Sequence, residues 1–258
     1  MDLGISGKKA IVCASSKGLG YGCALALAQA GVELLICART EGPLETAAVA
    51  LRHVGVKVTF VACDVTTEDG RDRILSILPD PDILINNAGG PPPGNWKNWN
   101  HSDFVKALES NMLTPITLIQ SVLPPMMERG WGRIVNITSG AVKAPIAALG
   151  LSNSARAGLT GFVAGVSRQV ASSGVCINNL LPGIHDTDRI ESFDKKMATD
   201  LGISVVEARI NKAASIPVGR YGKSEEFGNM CAFLCSQHAG FIVGQNIVLD
   251  GGAINATI

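Results

Sequence analysis

Cys13-Ala14-Ser15-Ser16-Lys17-Gly18-Leu19-Gly20 is the stretch on which the reading of this chain turns. It follows an apolar run, Ala10-Ile11-Val12-Cys13, and leads into an Ala- and Leu-rich segment of helical period over 18–31. Small residues between a strand and a helix permit a tight turn. They let backbone N–H groups approach a pyrophosphate, which the positive end of the helix then faces. A Gly-x-Gly pair alone also merely ends strands; its place after the first strand and before a helix marks a dinucleotide loop. Ala14, Ser16, Lys17, Gly18, Leu19 and Gly20 are its candidate cofactor contacts.

Outward from this loop, short apolar runs alternate with longer stretches of helical period. Glu33-Leu34-Leu35-Ile36-Cys37, Val58-Thr59-Phe60-Val61-Ala62 and Ile83-Leu84-Ile85 read as buried strands, as do 133–137, 175–181 and 246–249. Near-continuous apolar strands suit a parallel sheet covered on both faces. Helices are expected over 18–31, 41–54, 67–78, 101–128, 153–172 and 224–237, with a kink at Pro115 in the fourth. The alternation predicts an α/β fold of Rossmann type: a doubly wound parallel sheet of about seven strands, helices on both faces, in one domain over 1–258. Only 182–216 breaks the rhythm, and so long an excursion reads as a lid or substrate loop.

Composition narrows the function classes. Apolar residues make up 47% and charged residues 17%, and Lys+Arg and Asp+Glu both number 22. That balance gives no basic footprint for nucleic acid or an anionic membrane surface. No apolar run approaches a membrane span, and Met1-Asp2-Leu3-Gly4 lacks the pattern of a signal peptide. The 7 cysteines have no paired framework, which fits a cytoplasmic protein with reduced thiols. Cys231, Cys235 and His238 are too few for a metal site, and none is expected.

The chain resembles the short-chain dehydrogenase/reductase family along essentially its whole length, nearest in wording to the 3-oxoacyl carrier-protein reductases. The family loop reads Thr-Gly-x-x-x-Gly-x-Gly; here Cys13 and Ala14 take the first two positions, and Gly18 and Gly20 match. Asp64-Val65 looks like the adenine-contacting pair, and Asn86-Asn87-Ala88-Gly89 matches the signature after the fourth strand, contributing Asn87, Ala88 and Gly89 to the cofactor site. Asn111 falls at the family's helix asparagine and Ser139 at its catalytic serine. Pro182-Gly183-Ile184 with Thr187 matches the segment that holds the carboxamide and pyrophosphate, and 244–252 the terminal signature. The resemblance implies a homotetramer with 101–128, 153–172 and the last strand at its interfaces.

It also points to NADP(H). NAD-preferring members carry an acidic residue at the end of the second strand. Here that region reads Cys37-Ala38-Arg39-Thr40, and Arg39 with Lys17 can converge on a 2′-phosphate, which a guanidinium grips in two-pronged fashion.

The chain departs from the family at its Tyr-x-x-x-Lys pair. Ser152 stands at the tyrosine position and Arg156 at the lysine position; the only tyrosines are Tyr21 and Tyr221. Their i, i+4 spacing keeps Ser152 and Arg156 on one helix face. Arg156 can hold the ribose and supply positive charge beside a developing alkoxide, but a guanidinium stays protonated at neutral pH. Ser139, Lys143 and His185 are further candidates for the proton relay, with His185 the one that ordinarily titrates near neutrality. Pro91-Pro92-Pro93-Gly94, Trp96 and Trp99 follow the Asn-Asn-Ala-Gly turn, where the family places a substrate wall.

Three readings stay open on these residues. One is an NADP(H)-dependent oxidoreductase that interconverts a carbonyl and a secondary alcohol, with Asn111, Ser139, Ser152 and Arg156 as an altered catalytic set. The second is an inactive nucleotide-binding subunit that pairs with an active homologue. The third is lyase or dehydratase chemistry in the same pocket.

Overall fold

The computed structural model describes residues 1–256. Seven parallel strands form one sheet in the order β3-β2-β1-β4-β5-β6-β7. They are β1 (Lys9–Cys13), β2 (Glu33–Ala38), β3 (Val58–Ala62), β4 (Ile83–Asn86), β5 (Gly132–Ile137), β6 (Val175–Pro182) and β7 (Asn246–Leu249). This is the doubly wound Rossmann-type sheet expected from the alternation of runs. The strand order reverses direction between β1 and β4, and a crevice at such a reversal is where these sheets take ligands.

Side chains leave a strand on alternate faces, so each apolar run feeds two cores. Val12, Ile36 and Ile85 pack with α1 (Gly18–Gln29), α2 (Glu41–Arg52) and α9 (Ser224–Cys235) on one side. Ile11, Leu35 and Leu84 pack with α3 (Glu68–Ile77), α5 (Thr114–Glu128) and α6 (Gly150–Val170) on the other. Each such side chain contributes about 1.5–3 kcal/mol through burial, which explains why strands without polar alternation are stable here. α1 and α9 approach so closely that a Cβ on Gly228 would lie 2.1 Å from the Gly22 carbonyl oxygen.

Three expectations need correction. The segment 101–128 is not one helix kinked at Pro115. It is α4 (His101–Leu108), a π-helical turn over Glu109–Leu113, and α5, with Pro115 in the first turn of α5. The helical path runs unbroken through the π turn, whose wider bonding pattern just before Pro115 accommodates the N–H that proline lacks. The helix expected at 153–172 starts earlier, at Gly150, which brings Ser152 into its first turn.

The excursion over 182–216 is not a bare loop either. It carries α7 (Asp188–Leu201) and α8 (Val205–Ala214), whose few apolar residues sit among many polar ones. The Tyr221 hydroxyl donates to Asp194 Oδ1 at 2.9 Å, and Arg209 of α8 pairs with Asp194 at 3.7 Å and with Asp186. These contacts fasten both helices to the turn ahead of α9. No helix among the described residues is long and apolar enough to cross a membrane.

Candidate active site

The loop after β1 is built for close backbone approach. Ala14 has φ 47°, and it is the one non-glycine residue with positive φ among those described. Its carbonyl accepts from Asn87 Nδ2 at 3.1 Å, tying the loop to the end of β4. A Cβ on Gly20 would sit 2.3 Å from that carbonyl oxygen and 2.7 Å from Asn87 Nδ2, so only glycine fits. Lys17, the N-cap of α1, makes no side-chain cap, leaving the first N–H groups of the helix for a ligand. Ser16 and Leu19 complete the turn and are half-buried. A dinucleotide pyrophosphate fits this cradle.

The remaining expected cofactor contacts line the same ends of the strands. Asp64 and Val65 follow β3, and Asp64 is held by the Thr66 hydroxyl at 2.8 Å. Ala88 and Gly89 follow Asn87; Pro182 ends β6, and Gly183 and Ile184 follow it, with the Gly183 N–H on Leu249 O. Thr187 precedes α7, its methyl carbon 3.6 Å from where a Cβ on Gly18 would be. Arg39 is exposed at the end of β2. Lys17 Nζ lies 2.7 Å from Asp188 Oδ2, an ion pair exposed on both sides that sequence reasoning did not anticipate.

Below this cleft runs an amide ladder. Asn86 Nδ2 donates to Asn136 Oδ1 (2.8 Å), Asn136 Nδ2 to Asn179 Oδ1 (3.1 Å), and Asn179 Nδ2 to Asn246 Oδ1 (2.8 Å). The four residues are paired in register across β4, β5, β6 and β7. Buried amides demand partners, and identical side chains in register supply them. An asparagine inside several apolar runs was the signal available in the sequence.

Ser152 and Arg156 meet on α6, as their spacing implied. Arg156 is 8% exposed and Ser152 6%. Arg156 Nε donates to Ser152 Oγ at 3.2 Å, and its NH1 donates to Ile137 O, the last residue of β5, at 2.7 Å. Burial, with a smaller push from the charge on Arg189, lowers the guanidinium pKa to about 10. It therefore stays protonated at neutral pH. Ser139 follows two residues after Ile137, and its Oγ accepts the Ala141 N–H at 3.1 Å, which frees its own proton to be donated. Asn111 lies in the π turn and is buried. Its Nδ2 donates to Ser110 Oγ at 2.6 Å, and its Oδ1 is a buried acceptor without a partner among the described residues.

The other relay candidates separate. His185 is buried edge-to-face against Phe227 at 5.2 Å, with Nδ1 3.3 Å from Gly183 O, and burial pushes its pKa down. That is a packed ring on the far side of the β6 turn. Lys143 is exposed. Trp99 lines a cavity of about 250 Å³ with Pro91, Pro92, Ala107, Ser110 and Leu151, whereas Trp96 is 71% exposed and outside it. The residue sequence reasoning missed is Arg189, in the first turn of α7. It donates to Gly90 O at 2.9 Å and to Pro91 O at 3.2 Å, across 99 positions of chain. No group of His, Cys, Asp and Glu among the described residues could hold a metal ion.

Comparison with known proteins sets this geometry in context. A family model described as enoyl-(acyl carrier protein) reductase matches residues 13–254. The chain is 29% identical over 256 residues to the 3-oxoacyl-[acyl-carrier-protein] reductase FabG of Vibrio cholerae, covering 97% of this chain and 98% of that one. It is 31% identical over 257 residues to dehydrogenase/reductase SDR family member 4 of Bos taurus, covering 97% and 88% respectively. Among solved structures it is similar to L-sorbose reductase of Gluconobacter frateurii complexed with NADPH and L-sorbose. The TM-score is 0.94 at 29% identity, over 99% of this chain and all of that one.

Proposed function

The chain belongs to the short-chain dehydrogenase/reductase family, and from that premise we propose that it interconverts a carbonyl and a secondary alcohol with NADP(H), using Ser152 and Arg156 in place of the family's tyrosine and lysine. When bound, the dihydronicotinamide supplies a hydride. The chain's residues do the rest. Gly18–Gly20 and the start of α1 take the pyrophosphate, Asp64 and Val65 the adenine, and Lys17 with Arg39 the 2′-phosphate. Asn87, Ala88, Gly89, Pro182, Gly183, Ile184 and Thr187 border the nicotinamide half. The NADPH and NADP complexes among similar structures support the choice of cofactor.

The observation that carries the reading is the buried Arg156–Ser152 pair. A guanidinium fixed on Ile137 O and Ser152 Oγ cannot swing away, so its positive charge is preorganised for a developing oxyanion. Ser152 Oγ accepts from Arg156 and keeps its own proton to donate to the substrate oxygen. Ser139 donates a second hydrogen bond there. Solvent returns the proton to Ser152, because Arg156 holds its own at neutral pH.

Homotetramer formation is part of the same proposal. Phe104, Val105 and Leu113 on the α4–α5 side and Phe241 ahead of β7 leave apolar surface uncovered in the single chain. Sedimentation of the purified protein tests it, and a monomer would refute it.

The decisive experiment follows nicotinamide absorbance with ketones, aldehydes and acetoacetyl thioesters, comparing the wild type with Ser152→Ala and Arg156→Met. Turnover lost in Arg156→Met supports the assignment. Tight NADPH binding without turnover on any carbonyl would transfer it to a binding subunit.

A further inference from the structure

Two guanidinium groups are brought to the neighbouring ends of β4 and β5 with no carboxylate ion-paired to either. Arg156 is fixed at the end of β5 through Ile137 O, and Arg189 lies on the loop after β4 through Gly90 O and Pro91 O. All the carboxylates in ion pairs serve other cations: Asp188 holds Lys17, Asp186 and Asp194 hold Arg209, and Glu226 holds Arg220. Neither Arg156 nor Arg189 forms an ion pair among the described residues. The strands whose ends hold them, β4 and β5, are paired neighbours, and the charge of Arg189 adds to burial in disfavouring protonation of Arg156. Two like charges in a partly desolvated cleft are unfavourable unless an anion joins them.

Their hydrogen bonds are also incomplete. A guanidinium carries five N–H donors, and two are used on each arginine, on Ser152 and Ile137 by Arg156 and on Gly90 and Pro91 by Arg189. The backbone carbonyls orient both groups without neutralising them. The pyrophosphate is taken by the cradle at Gly18–Gly20, at the N-terminus of α1, whereas Arg189 is anchored on the loop after β4 through Gly90 O and Pro91 O. Gly90 and Pro91, which hold Arg189, and Leu151, the chain neighbour of Ser152, border the cavity of about 250 Å³. Pro91, Pro92, Trp99, Ala107 and Leu151 form its apolar wall, and the oppositely charged Asp103 and Lys106 also line it.

We propose that the substrate of this site is an oxo acid: its carboxylate sits on Arg189, its carbonyl oxygen is directed at Arg156 and Ser152, and its short apolar chain enters the cavity at Trp99. The proposal rests on the redox reading above and adds the substrate class to it. Arg189 becomes the specificity residue. Its planar fork matches a carboxylate in two-pronged fashion, which a lysine does not. Helix α7 then completes the site only when Asp188 and Arg189 are both seated, one on Lys17 and the other beside the Asn-Asn-Ala-Gly turn.

The test uses the full-length protein saturated with NADP⁺ and calorimetric titration of matched probes: 2-oxopentanoate and 3-oxopentanoate against their methyl esters. NADPH oxidation with the same four compounds runs in parallel. At least one acid is expected to bind about tenfold or more tighter than its ester, and Arg189→Ala to abolish that preference while leaving ester binding within about twofold. Arg189→Lys, which keeps the charge and guards against loss of fold, retains only part of the preference. Equal binding of acids and esters, or binding of neither, overturns the proposal. Reduction of esters as readily as acids overturns it too, while the redox reading stands. Acid-selective binding lost in Arg189→Ala, but without NADPH oxidation, upholds the carboxylate site and refutes the redox reading.

Discussion

Arg156 Nε donates a hydrogen bond to Ser152 Oγ across one turn of α6, and the same guanidinium caps the last carbonyl of β5. On the proposed assignment, a longer cation takes the lysine position and a shorter hydroxyl the tyrosine position. Both side chains are buried, Ser152 6% and Arg156 8% exposed. Ser152→Tyr alone is expected to destabilise the fold by about 1–3 kcal/mol through overpacking, and Arg156→Lys in the same chain to restore much of it. Urea denaturation of both variants measures this. Arg156→Met is expected to cost about 10²–10³ in kcat. In the wild type, activity should fall as pH rises through about 10, where Arg156 loses its proton.

Cofactor choice is predicted to lie in two exposed cations. Arg39→Ala and Lys17→Ala should each weaken NADPH binding about tenfold or more and leave NADH nearly unchanged. Asp188→Asn frees Lys17 from its ion pair and should tighten NADPH binding. Fluorescence titration with both nucleotides decides. Equal losses for NADPH and NADH would refute the 2′-phosphate assignment.

Ala14 is strained where a glycine would not be. An L-residue at positive φ costs about 1–2 kcal/mol, part of which Ala14→Gly recovers against the greater freedom of glycine in the unfolded chain. Thermal unfolding should move up by a few degrees at most, and a fall would show that the Ala14 methyl group packs favourably.

The amide ladder makes Asn136 sensitive to substitution. Asn136→Leu strands the Asn86 amide and the Asn179 carbonyl, and each orphaned buried group costs about 1–3 kcal/mol. Chemical denaturation should report the combined loss. A change within experimental error would mean that the ladder contributes no net stability.

His185 gives the stability a pH dependence of definite sign. Burial holds its folded pKa below the ordinary 6.5. Between the two values the unfolded chain binds the extra proton, so stability falls as pH drops below about 6.5 and keeps falling until the folded pKa is passed. His185→Gln should flatten this part of the curve in denaturation series run from pH 5 to 7.5.

Much of the architecture was legible in the chain because its signals are local. Apolar runs of strand length, helical periodicity between them and small residues in one turn each act over a few positions, and together they specified a parallel sheet with a dinucleotide loop. The spacing of Ser152 and Arg156 likewise sufficed to place them together. The two helices over 188–214 escaped because they are largely solvated and their mean hydropathy is low, although their few apolar residues do recur at helical spacing. The π turn at Asn111 escaped because a helix that continues through an irregular turn keeps its overall pattern.

By itself, then, the sequence determined the alternation of strands and helices, the Gly18–Gly20 turn between β1 and α1 and the i, i+4 placing of Ser152 and Arg156, since each depends on neighbours along the chain. Only the tertiary structure decided that Arg156 is buried against Ile137 rather than extended toward solvent, that four asparagines join across four strands, and that Arg189 reaches Gly90 and Pro91. Those contacts link residues far apart in sequence, and no local propensity encodes them. They exist because packing both faces of the sheet brings the carboxyl ends of its strands, and the helix that follows Thr187, into one cleft.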